Sequence, residues 1–431
     1  AVPLLEQALT DRVRVLGEDH PDTLTSRHNL ATAYRSAGDP ARAVPLYEQT
    51  LTERRRVLAA DHPGTLTYGN NLTAFLDAAK DLVLAVYQLE QILTDTEQVL
   101  GADHPDILTF RHDLARGHVS VGDLGQAVTL YEQNLTARVR VLGADHPDTL
   151  ASRHDLATAY EATGDPGRAI PLYDQNLTAR VRVLGEDHPD TLTSRHDLAY
   201  AYLSAEDLDR AISLYEHNLT ARVRVLGEDH PDTLISRNNL AYAYVSAEDL
   251  DRAIFLYEHN LTARVRVLGE DHPDTLISRN NLAYAYLSAG DLERAISLYE
   301  QNLTDTERAL GTDHPDTLTS RTNLAGAYQA AGDPGRSIPL LEQNLTDTEQ
   351  ALGTDHPDTL TSRTNLAGAH RAAGDLGRAI PLYERTLSDR VRVLGNDHPD
   401  TLTSRNNLAA AYETAGDPGR SIPLMKQSST D

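Results

Sequence analysis

Hydrophobic and small residues recur along the chain at intervals of three and four, and residues 190–226 show this pattern clearly. The stripe in the first half consists of Leu192, Leu198, Ala199, Ala201, Tyr202 and Ala205. The stripe in the second half consists of Ala211, Ile212, Leu214, Tyr215, Leu219, Val223 and Leu226. Such spacing places apolar residues on one face of a helix. The segment therefore predicts two antiparallel helices, called here the first and the second helix, joined by a short turn.

The residues at the ends of these stripes are typical of helix termini. Pro189 and Asp190 stand where the first helix should start, and both residue types are favoured in a first turn. Most copies of the turn read Gly-Asp, as in Gly290-Asp291. Glycine suits a left-handed residue that ends a helix, and aspartate suits the N-cap of the next one. The turn therefore predicts a tight connection between the two helices.

This helix pair repeats with a period of 42 residues. The triplet Asp-His-Pro occurs ten times, with its His at positions 20, 62, 104, 146, 188, 230, 272, 314, 356 and 398. A fixed period indicates an array in which each unit contacts only its neighbours. We therefore predict one solenoid over residues 1–431, built from about ten repeats. Its first helices should begin near residues 22, 64, 106, 148, 190, 232, 274, 316, 358 and 400, with a partial second helix at 1–16 and a partial last helix at 417–431.

Composition removes several classes of function. Among 431 residues, 39 are Lys or Arg and 64 are Asp or Glu, which gives a net charge of −25. Such a charge repels nucleic-acid phosphates, so we expect no nucleic-acid partner. No run of about 18 consecutive apolar residues exists, and no membrane insertion is predicted. Because the chain has no Cys, disulfides, thiol catalysis and Cys-ligated zinc are excluded.

The repeated motifs resemble a known family. The pattern Asn-Leu-Ala-x-Ala-Tyr-x-x-Ala-Gly-Asp followed by Arg-Ala-Ile-x-Leu-Tyr-Glu resembles the tetratricopeptide repeat. The 42-residue period, Leu-Gly-x-Asp-His-Pro-Asp, and the segment 43–51 (Ala-Val-Pro-Leu-Tyr-Glu-Gln-Thr-Leu) are similar to the kinesin light chain type of this repeat. The resemblance implies an all-α solenoid, a right-handed superhelix of antiparallel helix pairs. It also implies a concave groove, lined by first helices, that binds peptides or partner proteins.

Two interpretations account for the ends of the sequence. Residues 1–4 match the interior of a second helix, and the last helix is short. The chain is either a piece of a longer protein or a subunit that associates head to tail into a filament. The first interpretation is favoured, and the resemblance adds that several bacterial arrays of the light chain type follow a nucleotide-binding signalling domain. We expect a cytoplasmic protein, or an extracellular one if it forms a fibre.

Several repeated polar residues have both a structural and a chemical interpretation. The Asp-His-Pro loop could hold a metal, but successive copies belong to different helix pairs, whereas one ion needs ligands within about 2 Å. We therefore predict that its Asp or His caps the first helix, and we predict no metal, no cofactor and no catalytic residue. Six Asn-Leu-Thr triplets, the first at Asn134, are formal glycosylation sites, yet they fall inside the second helix and favour a packing role.

Two further positions carry polar residues in nearly every repeat. Asn or Asp occupies the position of Asn239 in all ten copies, and it either binds the backbone of a peptide or ties neighbouring helices together. Arg recurs at the position of Arg27 in nine copies, and an acid recurs at the position of Glu48 in ten. An Arg–carboxylate pair between these two positions is the favoured interpretation, and a basic groove for anions is the alternative.

The family pattern assigns the groove to particular residues. The predicted partner-binding residues are His196, Tyr200, Leu203, Ile235, Asn238, Asn239, Tyr242, Val245, Ile277, Asn280, Asn281, Tyr284 and Leu287. The next two repeats have small polar residues at these positions, including Gly326 and Gly368, which would admit a partner's backbone. An apolar strip within polar surface is typical of a partner site, and Tyr is a common anchor. Burial of the same side chains between repeats is the alternative.

The sequence thus predicts a non-enzymatic scaffold for protein–protein interaction, binding an extended peptide or a partner's surface along the groove. A filament subunit that stacks head to tail is the alternative.

Overall fold

The computed structural model is all-α, as the sequence predicts. It describes residues 2–37, 39, 42–43, 45–47, 49–50, 52–53 and 82–428, and this part of the chain contains no strand. The first helix predicted near residue 64 and the preceding His62 lie outside the described residues. The longer described helices are α1 (Val2–Leu16), α2 (Pro21–Ser36), α3 (Leu82–Leu100), α4 (Pro105–Ser120), α5 (Leu124–Leu142), α6 (Pro147–Ala162), α7 (Pro166–Leu184), α8 (Pro189–Ser204), α9 (Leu208–Leu226), α10 (Pro231–Ser246), α11 (Leu250–Leu268), α12 (Pro273–Ser288), α13 (Leu292–Leu310), α14 (Pro315–Ala330), α15 (Pro334–Leu352), α16 (Pro357–Ala372), α17 (Leu376–Leu394), α18 (Pro399–Thr414) and α19 (Pro418–Ser428).

The even-numbered helices are first helices of the repeats, and the odd-numbered ones are second helices. The chain divides into two compact units, unit 1 at Ala1–Leu214 and unit 2 at Tyr215–Asp431. Within each unit, consecutive helices pack against each other in antiparallel pairs. Each unit is therefore a row of helix pairs in which a helix is covered by those beside it in the chain.

The first helices from α4 onward begin at the Asp-His-Pro loop, where the His is the N-cap. In α12, for example, His272 has extended backbone angles and its Nδ1 accepts a hydrogen bond from the backbone N–H of Asp274 at 3.2 Å. Pro273 occupies the first helical position, where its missing N–H costs nothing. The same cap precedes α4, α6, α8, α10, α14, α16 and α18. The predicted capping role of this loop is confirmed.

The turn between the two helices needs a residue in the left-handed conformation. Gly290 fills that position with φ 77°, and the next residue, Asp291, caps α13 by accepting from the N–H of Arg294. In two repeats the same position holds Glu206 and Glu248, with φ 60° and 58°. A side chain in this conformation costs about 1–2 kcal/mol because its Cβ approaches the carbonyl oxygen.

Replacement of Glu248 by Gly should therefore stabilise unit 2. We expect Glu248→Gly to raise the free energy of unfolding by about 0.5–1 kcal/mol, since removal of the strain exceeds the extra chain entropy that Gly loses on folding. Gly290→Ala is the matched reverse variant. No atom lies within 4 Å of its added Cβ, so only the backbone conformation changes. Urea denaturation of both variants tests this, and equal midpoints for all three proteins would contradict it.

Tyr and Ala side chains form most of the core. In unit 2 the cluster around Tyr257 and Tyr286 includes Ala241, Ala285 and Ala295, and each of these three alanines is fully buried. Small alanines let neighbouring helices approach closely while the Tyr rings fill the space between them. Tyr257 and Tyr286 are buried, so both Tyr positions serve packing in this cluster.

The predicted pairing of the repeated Arg with the repeated acid is wrong. The acid accepts a hydrogen bond from a Tyr hydroxyl of the following repeat instead, as Glu258 does from Tyr286 and Glu300 from Tyr328. The Tyr ring is covered by a further Arg, with the Arg294 guanidinium 5.0 Å from the Tyr286 ring centre. The acid therefore forms a hydrogen bond to the next repeat and does not pair with the repeated Arg.

The buried Arg at the position of Arg27 pairs with other carboxylates. Arg237 contacts Glu228 in the preceding loop, whereas Arg321 contacts Asp347 on the following second helix at 2.6 Å and Glu307 on the preceding one at 3.0 Å. Arg321 is only 3% exposed. In unit 2 these arginines are therefore internal ties rather than part of an anion-binding surface.

Candidate functional site

Four large apolar and aromatic side chains of unit 2 are exposed on its first helices. Ile235 and Tyr242 of α10 are 44% and 52% exposed, and Ile277 and Tyr284 of α12 are 52% and 49% exposed. We call these four residues the aromatic face. Other residues of the same helices face the core and are buried, such as Tyr286 at 5% exposure. The alternative that the core of the array buries these side chains is therefore wrong for this pair of helices.

A buried tyrosine lies beneath the aromatic face. Burial raises the pKa of Tyr257 on α11, and the neighbouring hydroxyls of Tyr242 and Tyr284 raise it further. Burial also raises the pKa of Tyr299 on α13 to about 12, with a smaller contribution from Tyr284. The Tyr284 hydroxyl therefore lies near the hydroxyls of both buried tyrosines.

The Asn residues beside the aromatic face connect neighbouring first helices. The Nδ2 of Asn281 donates to Oδ1 of Asn238 at 2.9 Å, and the Nδ2 of Asn323 donates to Oδ1 of Asn280 at 2.8 Å. Each asparagine uses one end of its amide in this way, so the ladder does tie helices together. All four side chains are half-buried at the edge of the face.

The other predicted groove residues lie on the same helices or in unit 1. Asn239, Val245 and Leu287 of unit 2 are half-buried. In unit 1, Tyr200 of α8 is 51% exposed, while His196 and Leu203 on that helix are half-buried.

The next two first helices present smaller and more polar side chains. On α14 the equivalents of Ile277 and Tyr284 are Thr319 and Gly326, both exposed, and no atom lies within 4 Å of a Cβ placed on Gly326. On α16, a Cβ on Gly368 would stand 3.5 Å from the Tyr383 hydroxyl. Space is therefore open above α14, beside the aromatic face.

Two cavities between successive first helices were not foreseen from the sequence. One, of about 110 Å³, lies among α12, α13 and α14; its lining includes Ile277, Asn302, Thr306, Asp316 and Ser320. The other, of about 360 Å³, lies one repeat further on, among α14, α15 and α16; its lining includes the equivalent residues Thr319, Asn344, Thr348, Asp358 and Ser362. The only available signal was Thr at positions 306 and 348, where most repeats have Arg.

The Asn-Leu-Thr triplets lie in the interior. Asn134, Asn176, Asn218 and Asn260 are 0% exposed, and Asn302 and Asn344 are 2% exposed. A glycosylated side chain would not fit, so the predicted structural role is confirmed.

Two other types of site are absent from the part of the chain that the structure describes. No three His, Asp or Glu side chains there group as ligands for a metal ion. No described helix combines the length and the apolar character needed to cross a bilayer.

Comparison with known proteins supports the fold. Chain segments 1–56, 114–264 and 323–430 are covered by matches to one tetratricopeptide repeat family model, and 65–106 and 275–316 match a second one. A comparison with curated protein sequences finds no match.

Three solved structures illustrate the similarity. A putative kinesin light chain of Podosopora anserina with nearly identical TPR-like repeats is 32% identical over 48% of this chain and 97% of its own, with a TM-score of 0.45. The apo quorum sensor NprR of B. thuringiensis is 13% identical over 85% of this chain and 99% of its own, with a TM-score of 0.54. A signal transduction ATPase of Pyrococcus horikoshii with a tetratricopeptide repeat sensor is 14% identical over 97% of this chain and 63% of its own, also with a TM-score of 0.54.

Helix pairs of fixed period, with an apolar face exposed on first helices, define a helical-repeat protein of the class that serves as an interaction scaffold. The chain belongs to the tetratricopeptide repeat family.

Proposed function

We propose that the chain is a non-enzymatic scaffold that binds an extended peptide, or an extended part of a partner's surface, along the first helices of unit 2. The aromatic face supplies the anchoring contacts, and the asparagines at its edge supply hydrogen bonds to the bound backbone. The chain is the recognition part of a larger signalling protein. Tyr200, His196 and Leu203 in unit 1 belong to a similar surface.

The observation that carries this proposal is the exposure of the aromatic face. Four large apolar and aromatic side chains, each about half exposed, lie on two neighbouring first helices. Tyr rings offer a large contact area with little entropy to lose, which makes them good anchors in interfaces. The quorum sensor and the ATPase with a repeat sensor share only the fold with this chain, so the proposal rests on this surface.

A selection followed by mutagenesis tests the proposal. Peptides selected from a random display library against the purified chain should include binders whose affinity depends on the aromatic face. We expect Tyr242→Ala together with Tyr284→Ala to weaken them by about 2 kcal/mol or more, roughly 30-fold, as fluorescence anisotropy would show. Circular dichroism should show unchanged helical content, because both side chains are half exposed.

Phe255→Ala is the matched control, because Phe255 is an aromatic side chain of α11 that is 66% exposed and lies outside the aromatic face. Its loss should leave affinity unchanged. Equal effects of the control and the double variant would refute the assignment of the face. Long fibres in electron micrographs of dilute protein would instead support the head-to-tail filament.

A further inference from the structure

One position on the second helices of unit 2 is Arg in some repeats and Thr in others. Arg222 of α9, Arg264 of α11 and Arg390 of α17 occupy it in three repeats, and Thr306 of α13 and Thr348 of α15 occupy it in the two between them. The three arginines are 6–8% exposed, so their guanidinium groups lie inside the array.

The arginines show what the space between first helices accommodates. The Nη1 of Arg390 donates to the backbone oxygen of Asp400 at 3.0 Å and to Oγ of Ser404 at 2.8 Å, and its Nη2 approaches Oγ1 of Thr361 at 3.4 Å. Thr361 lies on α16, whereas Asp400 and Ser404 lie on α18. The guanidinium therefore fills the gap between two successive first helices. Arg222 makes the equivalent bonds to Asp232 and Ser236, both at 2.9 Å.

Where the position is Thr, the same gap is a cavity. The three residues that bind Arg390 correspond to Thr319, Asp358 and Ser362 one repeat earlier, and all three line the 360 Å³ cavity. Two repeats earlier they correspond to Ile277, Asp316 and Ser320, and all three line the 110 Å³ cavity. Both cavities thus keep acceptors for a guanidinium group that the chain itself does not supply there.

Buried asparagine oxygens also line these cavities. The Oδ1 atoms of Asn302 and Asn344 have no hydrogen-bond partner among the described residues, although each side chain is only 2% exposed. Their Nδ2 atoms donate to Ser320 and Thr322, so the oxygen is the end that lacks a partner. The equivalent oxygens of Asn176, Asn218 and Asn260 also lack a partner in repeats that carry Arg, so the case for the pockets rests on the bonds of Arg390 and on charge.

Charge also favours a cationic ligand. The only charged residues among those that line the two cavities are the acids Asp313, Asp316 and Asp358, and the whole chain carries a net charge of −25. Arginine matches the acceptors better than lysine does, because its planar group presents several N–H donors in fixed directions.

We propose that the two cavities beside Thr306 and Thr348 are pockets for arginine side chains of the bound peptide. This inference rests on the proposed function and specifies its ligand as a basic, extended peptide. Successive first helices lie about 8–10 Å apart, and an extended chain advances about 3.3 Å per residue. The peptide therefore carries two arginines about three positions apart, with neighbouring apolar residues on the aromatic face.

Direct binding to the unmodified protein is the first test. The probes are four labelled peptides that share the sequence of a selected binder and carry Arg, Lys, citrulline or Ala at two positions three residues apart. We expect the Arg peptide to bind at least tenfold more tightly than the Lys peptide, and citrulline to lose most of the affinity because it lacks the charge. Equal affinities for the Arg, Lys and citrulline peptides would overturn the proposal.

Filling the pockets from within is the second test. The double variant Thr306→Arg with Thr348→Arg should place guanidinium groups where Arg390 has its own, and it should reduce binding of the Arg peptide at least tenfold while the protein stays folded. The control variant Thr304→Arg with Thr346→Arg adds the same charge at exposed positions two residues away, on a different face of the same helices, and should bind normally. Equal binding of the Arg peptide by both double variants would overturn the assignment of the cavities as arginine pockets.

The two proposals fail in distinguishable ways. If Tyr242→Ala with Tyr284→Ala weakens binding and the pocket variant does not, the aromatic face stands and the arginine pockets are wrong. If neither variant changes the affinity of selected peptides, the proposed function itself is wrong.

Discussion

Arg321→Ala should lower the free energy of unfolding by about 3–5 kcal/mol, the range typical of a buried ion pair that loses one partner. Its guanidinium lies between Asp347 on α15 and Glu307 on α13, and the Arg and Asp side chains are 4% and 8% exposed. Without the arginine, two carboxylates remain close together with no cation between them. Desolvation of these charges is then no longer offset by their attraction to the guanidinium.

Two control variants separate this effect from ordinary loss of a surface charge. Arg385→Ala removes an arginine that is 57% exposed and 4.0 Å from Asp389, and such pairs contribute about 1 kcal/mol or less. Asp347→Ala leaves Arg321 paired with Glu307 and reproduces the residue type of Ala263 in an earlier repeat. We expect Asp347→Ala to cost less than Arg321→Ala.

Urea denaturation of the three variants measures these differences. Because a repeat contacts mainly its neighbours, amide hydrogen exchange should rise first in α13, α14 and α15 when Arg321 is lost. An Arg321→Ala protein as stable as Arg385→Ala, or less destabilised than Asp347→Ala, would show that the buried pair does not stabilise unit 2.

The periodic features of the fold could be predicted from the sequence because they depend on local rules. His-Pro before a helical stripe predicted the start of the first helices, and Gly-Asp predicted the turn, since capping and left-handed residues are set by a few neighbouring atoms. Helix α12 begins at Pro273, one residue before the predicted position.

Pairing of long side chains could not be predicted in the same way. Arg321 can reach carboxylates on two second helices, and a 42-residue period does not say which of them is near enough. The acid expected to pair with it, represented by Glu300, instead accepts from Tyr328 of the next repeat. Such a choice depends on distances between helices, which the periodicity leaves open.

The candidate site was also predictable only in part. The family pattern assigned Tyr242 and Tyr284 to the groove surface, and the structure finds both about half exposed. The cavities beside Thr306 and Thr348 required coordinates, because a Thr in place of Arg could equally have been compensated by closer packing of the helices.

Tyr299→Ala and Tyr284→Ala should have opposite consequences although the two residues are neighbours in unit 2. Tyr299 is 2% exposed and belongs to the core with Leu324 and Tyr328, so its truncation should cost about 3–5 kcal/mol of unfolding free energy, as other large buried rings do. Tyr284 is 49% exposed, and its loss should change stability by less than about 1 kcal/mol.

Peptide affinity should show the opposite order, with the larger loss in Tyr284→Ala. Under conditions where both proteins are folded, Tyr284→Ala should weaken peptide binding because it removes an anchor, whereas Tyr299→Ala should retain binding until unit 2 unfolds. Urea titrations with and without a selected peptide measure both quantities on one sample. If Tyr284→Ala destabilises the protein as strongly as Tyr299→Ala, the Tyr284 ring is part of the core and is not an anchor for a partner.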